Sequence, residues 1–263
     1  MVSDPRLVTG SRVVQLAGSS PQTGWSLALC EAAREAGGSF RYSLRCSPPV
    51  LAPGHPAADP VRAAEEAARR ARSKSRRYCA ANRLNRLGTL TYRGAGCHDP
   101  SQLRADVAVF FRSVRGLLGG TAFAYLWTSE WHQSGHGLHV HFAVGRFIHR
   151  AVIEQSWPHG FVHIKLLGDL PTGSGAVAEA RQAARYLSKY VGKDFNAQRS
   201  KGLHRYELGQ GFQPKITAIL GRTRDEVIDR ACSIMRDSPE TVWFSDQNKD
   251  WEGPPALWLQ WRG

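Results

Sequence analysis

The sequence has few cysteines and lacks long apolar runs. None of its five cysteines belongs to a Cys-x-x-Cys pair, which excludes a zinc ribbon and a regular disulfide framework and favours a reducing cytoplasm. The most apolar stretch, Thr121–Trp127, is far shorter than the ~20 residues of a membrane-spanning helix. The segment Met1–Ser20 contains Asp4 and Pro5 and no unbroken apolar stretch. We therefore predict neither a signal peptide nor a membrane segment.

Acidic residues and phosphate-binding loops are also scarce. No GxxxxGK[ST] motif occurs anywhere in the chain, which excludes a recognisable helicase motor. The 263 residues carry 35 Lys+Arg against 22 Asp+Glu, a formal net charge of +13. This excess of positive charge predicts a polyanionic partner, although it does not identify which one.

Much of the positive charge lies in one window of the sequence. Arg62–Arg93 holds ten basic residues and two acidic ones, and its first part, Pro60–Arg77, is rich in alanine and predicts a helix. Clustering at this density favours contact with a phosphate backbone, while an ordinary solvated face stays open as the alternative. The candidate nucleic-acid-binding residues are Arg69, Arg70, Arg72, Lys74, Arg76, Arg77, Arg83 and Arg86.

The segment after Leu84 shows a regular order of strands and helices. Alternating and β-branched runs predict strands over 87–92, 121–130, 138–144 and 161–167, and apolar residues at helical spacing predict helices over 101–118, 149–157 and 176–191. The order β-α-β-β-α-β, followed by a helix, is the split βαβ pattern of ferredoxin-like domains. We therefore predict an α+β fold with a ferredoxin-like antiparallel sheet and helices packed on one of its faces.

Two histidines and a glutamate form the first candidate site. His139 and His141 are two residues apart on a predicted strand, so both imidazoles project from one face, and apolar residues at 138, 140, 142 and 144 occupy the other. Glu130 ends the preceding strand, and a short loop brings it beside the pair. Two imidazoles and a carboxylate suit a divalent metal ion with open positions for a phosphate oxygen. We interpret His132, His136 and His163 as solvated residues.

Two tyrosines one helical turn apart form the second candidate site. Tyr186 and Tyr190 lie on one face of a predicted helix, and each is followed three residues later by a lysine, Lys189 or Lys193. A tyrosine hydroxyl has a pKa of about 10 and needs help to attack at neutral pH, which an adjacent ammonium group gives. Taken alone, the pattern favours tyrosines packed on the core. Together with the His/Glu site it favours in-line attack by a tyrosine on a metal-polarised phosphate.

These motifs together resemble the HUH endonuclease superfamily, in particular rolling-circle replication initiators of plasmids and single-stranded DNA phages. The matching residues are Thr89-Leu-Thr-Tyr92, Glu130 with His139-Val-His141, Trp157-Pro-His-Gly160 and Ala184-Arg-Tyr186-Leu-Ser-Lys-Tyr190-Val-Gly-Lys193. The tyrosines lie C-terminal to the histidines, as in replication initiators and unlike relaxases. The pattern is most similar to filamentous-phage gene II-like and microvirus-like replication proteins, and it covers roughly 84–195.

The resemblance implies a role for each motif. Glu130, His139 and His141 would bind Mg²⁺ or Mn²⁺. Tyr186 and Tyr190 would be the nucleophiles, with Lys193 and Lys189 assisting at the phosphate or the metal. Such an enzyme nicks single-stranded DNA at a replication origin through a 5′-phosphotyrosine and releases a 3′-hydroxyl that primes synthesis. Because the chain has no helicase motor, a host helicase and a host polymerase would be its partners.

Other functions stay open at this stage. The same nicking chemistry serves single-strand transposases and mobilisation proteins. A nonenzymatic nucleic-acid-binding module on a ferredoxin-like sheet would need neither the histidines nor the tyrosines, but such modules usually show aromatic side chains on the open face, where His139 and His141 are expected here. A metal-dependent hydrolase without a covalent intermediate would need neither tyrosine.

The regions outside the resemblance predict three segments in all. Residues 1–77 form an extension with a Pro/Ala-rich linker and the basic helix, residues 78–198 form the HUH endonuclease domain, and residues 199–263 form a C-terminal helix and a Trp-rich tail. The helix is predicted over 222–236. The tail tryptophans could stack on unpaired bases, but packing is the favoured interpretation, since tryptophan usually buries its surface.

Overall fold

The computed structural model describes residues 23–42, 59–166, 175–193 and 206–263. These residues form two compact units. We call 59–166, 175–193 and 206–213 the central unit, and 23–42 together with 214–262 the terminal unit. Each has its own five-stranded antiparallel sheet. Among the helices described, none is long and apolar enough to cross a membrane.

The strands and helices alternate along the described chain. The strands are β1 (Gly24–Cys30), β2 (Glu35–Arg41), β3 (Arg86–Tyr92), β4 (Tyr125–Trp131), β5 (Leu138–Val144), β6 (Gly160–Leu166), β7 (Tyr206–Leu208), β8 (Thr217–Gly221), β9 (Thr241–Phe244) and β10 (Ala256–Gln260). The helices are α1 (Pro60–Ala81), α2 (Pro100–Leu117), α3 (Arg150–Ser156), α4 (Gly175–Lys193) and α5 (Arg224–Met235).

The central sheet has the strand order β6-β3-β5-β4-β7. Its first four strands follow the chain order β3-α2-β4-β5-α3-β6, and every neighbouring pair is antiparallel. Each βαβ connection therefore skips over one strand, which is the split βαβ arrangement. The predicted α+β, ferredoxin-like fold class is confirmed.

Alternation along the strands separates the two faces of the central sheet. Leu90, Val140 and Phe142 point to one face, where α2 and α3 bury them in an aromatic-rich core. Helix α2 begins well defined because Pro100 occupies its first turn and the Asp99 carboxylate accepts a hydrogen bond from the Ser101 amide at 2.8 Å. The helices of the split βαβ unit thus lie on one face, as the sequence predicts.

The opposite face carries a second helical layer that the sequence prediction lacks. Helices α1 and α4 pack against each other and contact β4, and their small residues form a core with Leu87 and Leu126 of the sheet. Helix α1 starts at the Asp59 cap, which accepts from the Arg62 amide at 3.0 Å. The prediction of helices on a single face is correct for α2 and α3 only, because α1 and α4 stand outside the βαββαβ repeat on which it was based.

The terminal unit joins the two ends of the chain in one sheet of order β8-β1-β2-β10-β9. Leu27 of β1 pairs with Ile219 of β8, and Ala36 of β2 pairs with Leu259 of β10. Helix α5 covers the apolar side through Val227 and neighbouring residues. Trp261 is completely buried in this core, which agrees with the packing interpretation of the tail.

This pairing differs from the three predicted segments, 1–77, 78–198 and 199–263. The basic helix α1 belongs to the central unit, whereas β1 and β2 share a unit with the C-terminal strands. Local periodicity does not reveal such a division, since the paired strands are separated by most of the chain. The predicted Pro/Ala-rich linker lies almost entirely outside the described residues.

Candidate metal centre and tyrosine site

Strands β4 and β5 form a hairpin that brings the three predicted ligands together. The register aligns Glu130 with His139, and His141 projects from the same face two residues further on. The Nε2 atoms of the two histidines are 3.0 Å apart. The Oε2 atom of Glu130 lies 3.4 Å from Nε2 of His139 and 3.3 Å from Nε2 of His141. The three atoms therefore form a nearly equilateral triangle.

This triangle has the dimensions of one face of a metal coordination sphere. Nitrogen and oxygen ligands bind divalent cations at about 2.0–2.2 Å, which places neighbouring ligand atoms about 3–3.5 Å apart. The donor set of two imidazoles and one carboxylate is one that transition-metal sites with open positions use. Within the described residues, these three form the one cluster of at least three His, Cys, Asp or Glu side chains that could hold a metal ion. The residues fit a divalent cation.

The candidate centre is more enclosed than the sequence suggests. His139 is 9% exposed and His141 is 6% exposed, because α4 lies over β4 and β5. The predicted apolar partners at 138, 140, 142 and 144 do occupy the opposite face. Removal from water strengthens the electrostatic interactions that a bound cation and phosphate would make here.

Thr89 of β3 makes a contact to this centre that the sequence analysis did not assign. It stands directly opposite His141 in the β3–β5 register, and its Oγ1 atom is 3.1 Å from Nδ1 of the imidazole. A histidine that binds a metal through one ring nitrogen usually donates its other N–H to a neighbouring oxygen, which fixes the ring and the tautomer. Thr89 offers that oxygen. The signal in the sequence was the Thr89-Leu-Thr-Tyr92 motif, but its role depends on register.

Helix α4 carries the candidate nucleophiles. Ala183, Ala184 and Leu187 bury one side of the helix against the sheet, and the Asn85 side-chain amide donates to Glu179 at 2.7 Å near its start. This packing places the half-buried Tyr186 beside the metal face. Its ring meets that of His141 edge to face, with centroids 6.2 Å apart. Tyr186 and the ligand triad are thus brought together.

Tyr190, Lys189 and Lys193 lie on the last turns of α4. Their side chains fall outside the described residues, so their assignment as a second nucleophile and two cationic helpers stays a prediction. The helical backbone carries Tyr190 one turn beyond Tyr186, on the same side of α4.

Four other tyrosines are poorly suited to attack as phenolates. Tyr92 points to the apolar face and donates its hydroxyl to Oδ2 of Asp106 at 2.9 Å, and burial together with this carboxylate raises its pKa above the ordinary value. Burial also raises the pKa of Tyr78, Tyr125 and Tyr206. A raised pKa keeps a phenol protonated. Tyr186 is therefore the better candidate of the described tyrosines beside the triad.

Part of the chain matches a known family. Residues 85–195 match the model of the replication-associated protein family of the ORF2 and gene II protein type. The match spans somewhat less than half of the chain, from the start of β3 to just beyond α4, and so includes the ligand triad and both candidate tyrosines. No curated protein matches the chain, and no solved structure does. The family match supports a Rep-like replication protein that interacts with nucleic acid, as the resemblance implies.

The basic residues of α1 divide into exposed and engaged ones. Arg69, Arg72 and Lys74 are exposed. Arg70 is exposed as well but pairs with Glu66 at 3.4 Å, and Arg77 donates to the backbone and hydroxyl of Ser73. Arg83 and Arg86, just beyond the helix, are half-buried and donate to Ala80 and Asn85 respectively, and Arg76 is half-buried as well. Of the eight candidates, Arg69, Arg72 and Lys74 are the best placed for phosphate contact.

The loop histidines stay apart from the triad. Nδ1 of His132 lies 2.6 Å from the Ser134 hydroxyl, and Nε2 of His136 lies 3.0 Å from the Tyr92 carbonyl oxygen. These contacts hold the hairpin loop between β4 and β5. His163 is exposed on β6, as the sequence analysis expects.

Proposed function

We propose that this protein is a rolling-circle replication initiator of the HUH type. It nicks single-stranded DNA at a replication origin and transfers the cut strand through a covalent tyrosine intermediate. The observation that carries the proposal is the triangle of Glu130, His139 and His141, with Tyr186 against His141 on the same face. The family match to replication-associated proteins favours this function over transposition or mobilisation.

The three ligand residues would hold Mg²⁺ or Mn²⁺. When bound, the cation supplies positive charge to the oxygens of the scissile phosphate. Thr89 orients His141 from behind, so that Nε2 faces the ligand triangle. The buried walls around the triad exclude water that would compete with the nucleophile.

Tyr186 is the proposed nucleophile of the first cleavage or of its reversal. Its phenolic oxygen forms a bond to phosphorus, the bond between phosphorus and the 3′ oxygen breaks, and the phenolic proton passes through solvent to the released 3′-hydroxyl. The phosphodiester is exchanged and not hydrolysed, so the covalent 5′-phosphotyrosine keeps the capacity to rejoin a strand. Tyr190 would serve the second transfer, with Lys189 and Lys193 offsetting phosphate charge.

The other partners follow from the products of this step. The free 3′-hydroxyl is a primer for a host polymerase, and a host helicase would separate the strands. The exposed Arg69, Arg72 and Lys74 of α1 would bind the phosphate backbone, since such contacts give affinity without sequence preference. Helix α1 packs beside the tyrosine helix α4, which places this basic surface near the proposed site of cleavage.

The test is a covalent adduct. The protein is incubated with labelled single-stranded DNA from its own replicon, with Mn²⁺ or with EDTA, and the products are separated in SDS. We expect a metal-dependent protein–DNA adduct that is lost in the Tyr186→Phe, Tyr190→Phe double variant, while the single variants rank the two tyrosines. Tyr206→Phe is the matched control, because Tyr206 aligns with Thr128 on the same sheet but has a raised pKa.

Other outcomes would assign a different function. Cleavage without an adduct would indicate a metal-dependent hydrolase. Binding with neither cleavage nor adduct, across DNA that contains the origin, would indicate a nonenzymatic nucleic-acid-binding module.

A further inference from the structure

Strand β6, at the edge of the central sheet, carries two exposed aromatic rings. Phe161 is 70% exposed and His163 is also exposed, whereas Val162 between them is 8% exposed and packs in the aromatic core. Alternation therefore puts Phe161 and His163 on the same face of the sheet. A phenylalanine exposed to this extent on a strand calls for an explanation, because its burial would ordinarily stabilise the fold.

This face is the one that carries the metal ligands. Thr89 of β3 pairs with His141 on one side and with His163 on the other, so the three side chains form one row across neighbouring strands. Phe161 pairs with Thr91, the next residue of β3 on this face. Strands lie about 4.8 Å apart, so β6 lies about 10 Å from β5. The two rings are therefore close enough to meet a nucleotide beside the scissile phosphate.

Two features keep the path from the triad to these rings open. The intervening residues, Thr89 and Thr91, are small, and the Thr91 hydroxyl donates to the Phe161 carbonyl oxygen at 3.4 Å. Helices α1 and α4 both contact β4, which is on the other side of β5 from β6. The rings thus form a shelf that continues the metal face toward the edge of the sheet.

A cation adjoins the shelf. Arg93 follows β3, is exposed, and is positioned by its amide, which donates to the His159 carbonyl oxygen at 3.0 Å, and by Nη2, which donates to that of Pro158 at 2.8 Å. Pro158 and His159 directly precede β6. An aromatic platform beside a positioned arginine is the combination that binds unpaired bases and their phosphates.

We propose that Phe161 and His163 form a stacking subsite for an unpaired base of the DNA strand held at the triad. The proposal rests on the proposed function for the identity of the strand. Stacking holds one nucleotide flat against β6, which fixes the adjoining phosphate above Glu130, His139 and His141. Base–aromatic stacking tolerates every base, so this subsite positions the strand and does not read its sequence.

The experiment measures binding without cleavage. Fluorescence anisotropy in EDTA compares a labelled oligothymidylate with a base-free tetrahydrofuran oligomer of the same length and charge. We expect Phe161→Ala to weaken binding of oligothymidylate by between about five- and 150-fold, the range for loss of one stacked base, and to leave binding of the base-free oligomer unchanged. Phe161→Tyr keeps a ring and is expected to retain the affinity.

Phe147→Ala is the matched control, since Phe147 is also 70% exposed but follows β5 beyond the opposite end of the strands. Equal losses in Phe161→Ala and Phe147→Ala, or an equal loss on both oligomers, would overturn the proposal. A loss of self-association in Phe161→Ala with unchanged DNA binding would assign β6 to a second copy of the chain and would overturn it as well. Because the assay contains no metal, absence of the tyrosine adduct would sink the proposed chemistry without deciding this result.

Discussion

The two faces of the central sheet are built from alternate residues of the same strands, yet they differ in almost every property. One face presents Leu90, Val140 and Phe142 to a closed apolar core. The other presents Thr89, Glu130, His139 and His141 to a polar centre. A strand thus contributes to folding with one side and to candidate chemistry with the other, so each function can be perturbed separately.

The apolar face depends on close aromatic packing. Phe110 of α2 lies within 5.0–6.0 Å, centroid to centroid, of the rings of Phe111, Phe142 and Trp157. Gly88 of β3 is opposite Phe142, and a Cβ atom there would lie 2.2 Å from the ring. The polar face has no such interlocking in the described residues around the triad. We therefore expect substitutions on the two faces to separate stability from metal binding.

The largest separation is expected on the apolar face with Phe110→Ala. Phe110 is 1% exposed, and truncation of a buried phenylalanine costs about 3–5 kcal/mol through lost transfer energy and a cavity. The free energy of unfolding, measured by urea titration, is expected to fall by this amount, while Mn²⁺ affinity of the folded fraction stays near that of wild type. Val109→Ala on the same helix is the control, because Val109 is 49% exposed. A loss of Mn²⁺ affinity in Phe110→Ala would show that the faces are coupled.

The reverse separation is expected with Glu130→Gln. The amide keeps the shape but removes the charge that the two imidazoles share with a cation, so we expect Mn²⁺ affinity by calorimetry to fall more than about 100-fold, beyond the usual effect of an outer-shell change. The adduct is expected to disappear, and the melting temperature without metal to stay the same or rise. Glu154→Gln, which breaks an exposed pair with Arg150, serves as the control. Retained Mn²⁺ binding would contradict the assignment of Glu130 as a ligand.

The sequence predicts the elements of this sheet well because their patterns are local. The predicted strand over 138–144 coincides with β5, and the helices over 101–118 and 176–191 differ from α2 and α4 by one or two residues at each end. The meeting of Glu130 with His139 is also predictable, since a short hairpin loop joins their strands. The candidate ligand triad could therefore be drawn from the sequence alone.

Contacts that depend on distant register escape such an analysis. Thr89 and His141 are 52 residues apart, and nothing in either motif states that they face each other. The terminal unit was missed for the same reason: β1 and β2 have short, weakly alternating sequences, and their partners β8 and β10 come near the other end of the chain. Long-range strand pairing is decided by the whole sheet and not by the segment.

A smaller effect on the polar face is expected with Thr89→Val. Valine has the shape of threonine but cannot accept the hydrogen bond from Nδ1 of His141, so the imidazole loses its orientation. We expect a loss of Mn²⁺ affinity of about 10–100-fold, as for other outer-shell partners, and recovery in Thr89→Ser. Thr91→Val is the matched control on the same strand, because its hydroxyl bonds to the backbone of β6. Equal Mn²⁺ affinities in all three variants would remove Thr89 from the metal centre.

The smallest effect is expected with Tyr92→Phe, three residues from Thr89 on the same strand but on the apolar face. The lost hydrogen bond to Asp106 costs about 1–2 kcal/mol, and Gln102 still donates to that carboxylate at 2.8 Å. Because folding raises the pKa of Tyr92 above 10.0, its hydroxyl contributes stability that is complete below about pH 10 and is lost as the pH rises, when the unfolded state ionises first. Urea titrations between about pH 8 and 11 are expected to show a shallower alkaline loss in the variant than in wild type, with Mn²⁺ affinity at neutral pH unchanged. Parallel pH profiles would mean that Tyr92 ionises alike in both states, and a change in Mn²⁺ affinity would mean that β3 transmits the loss to Thr89 across the sheet.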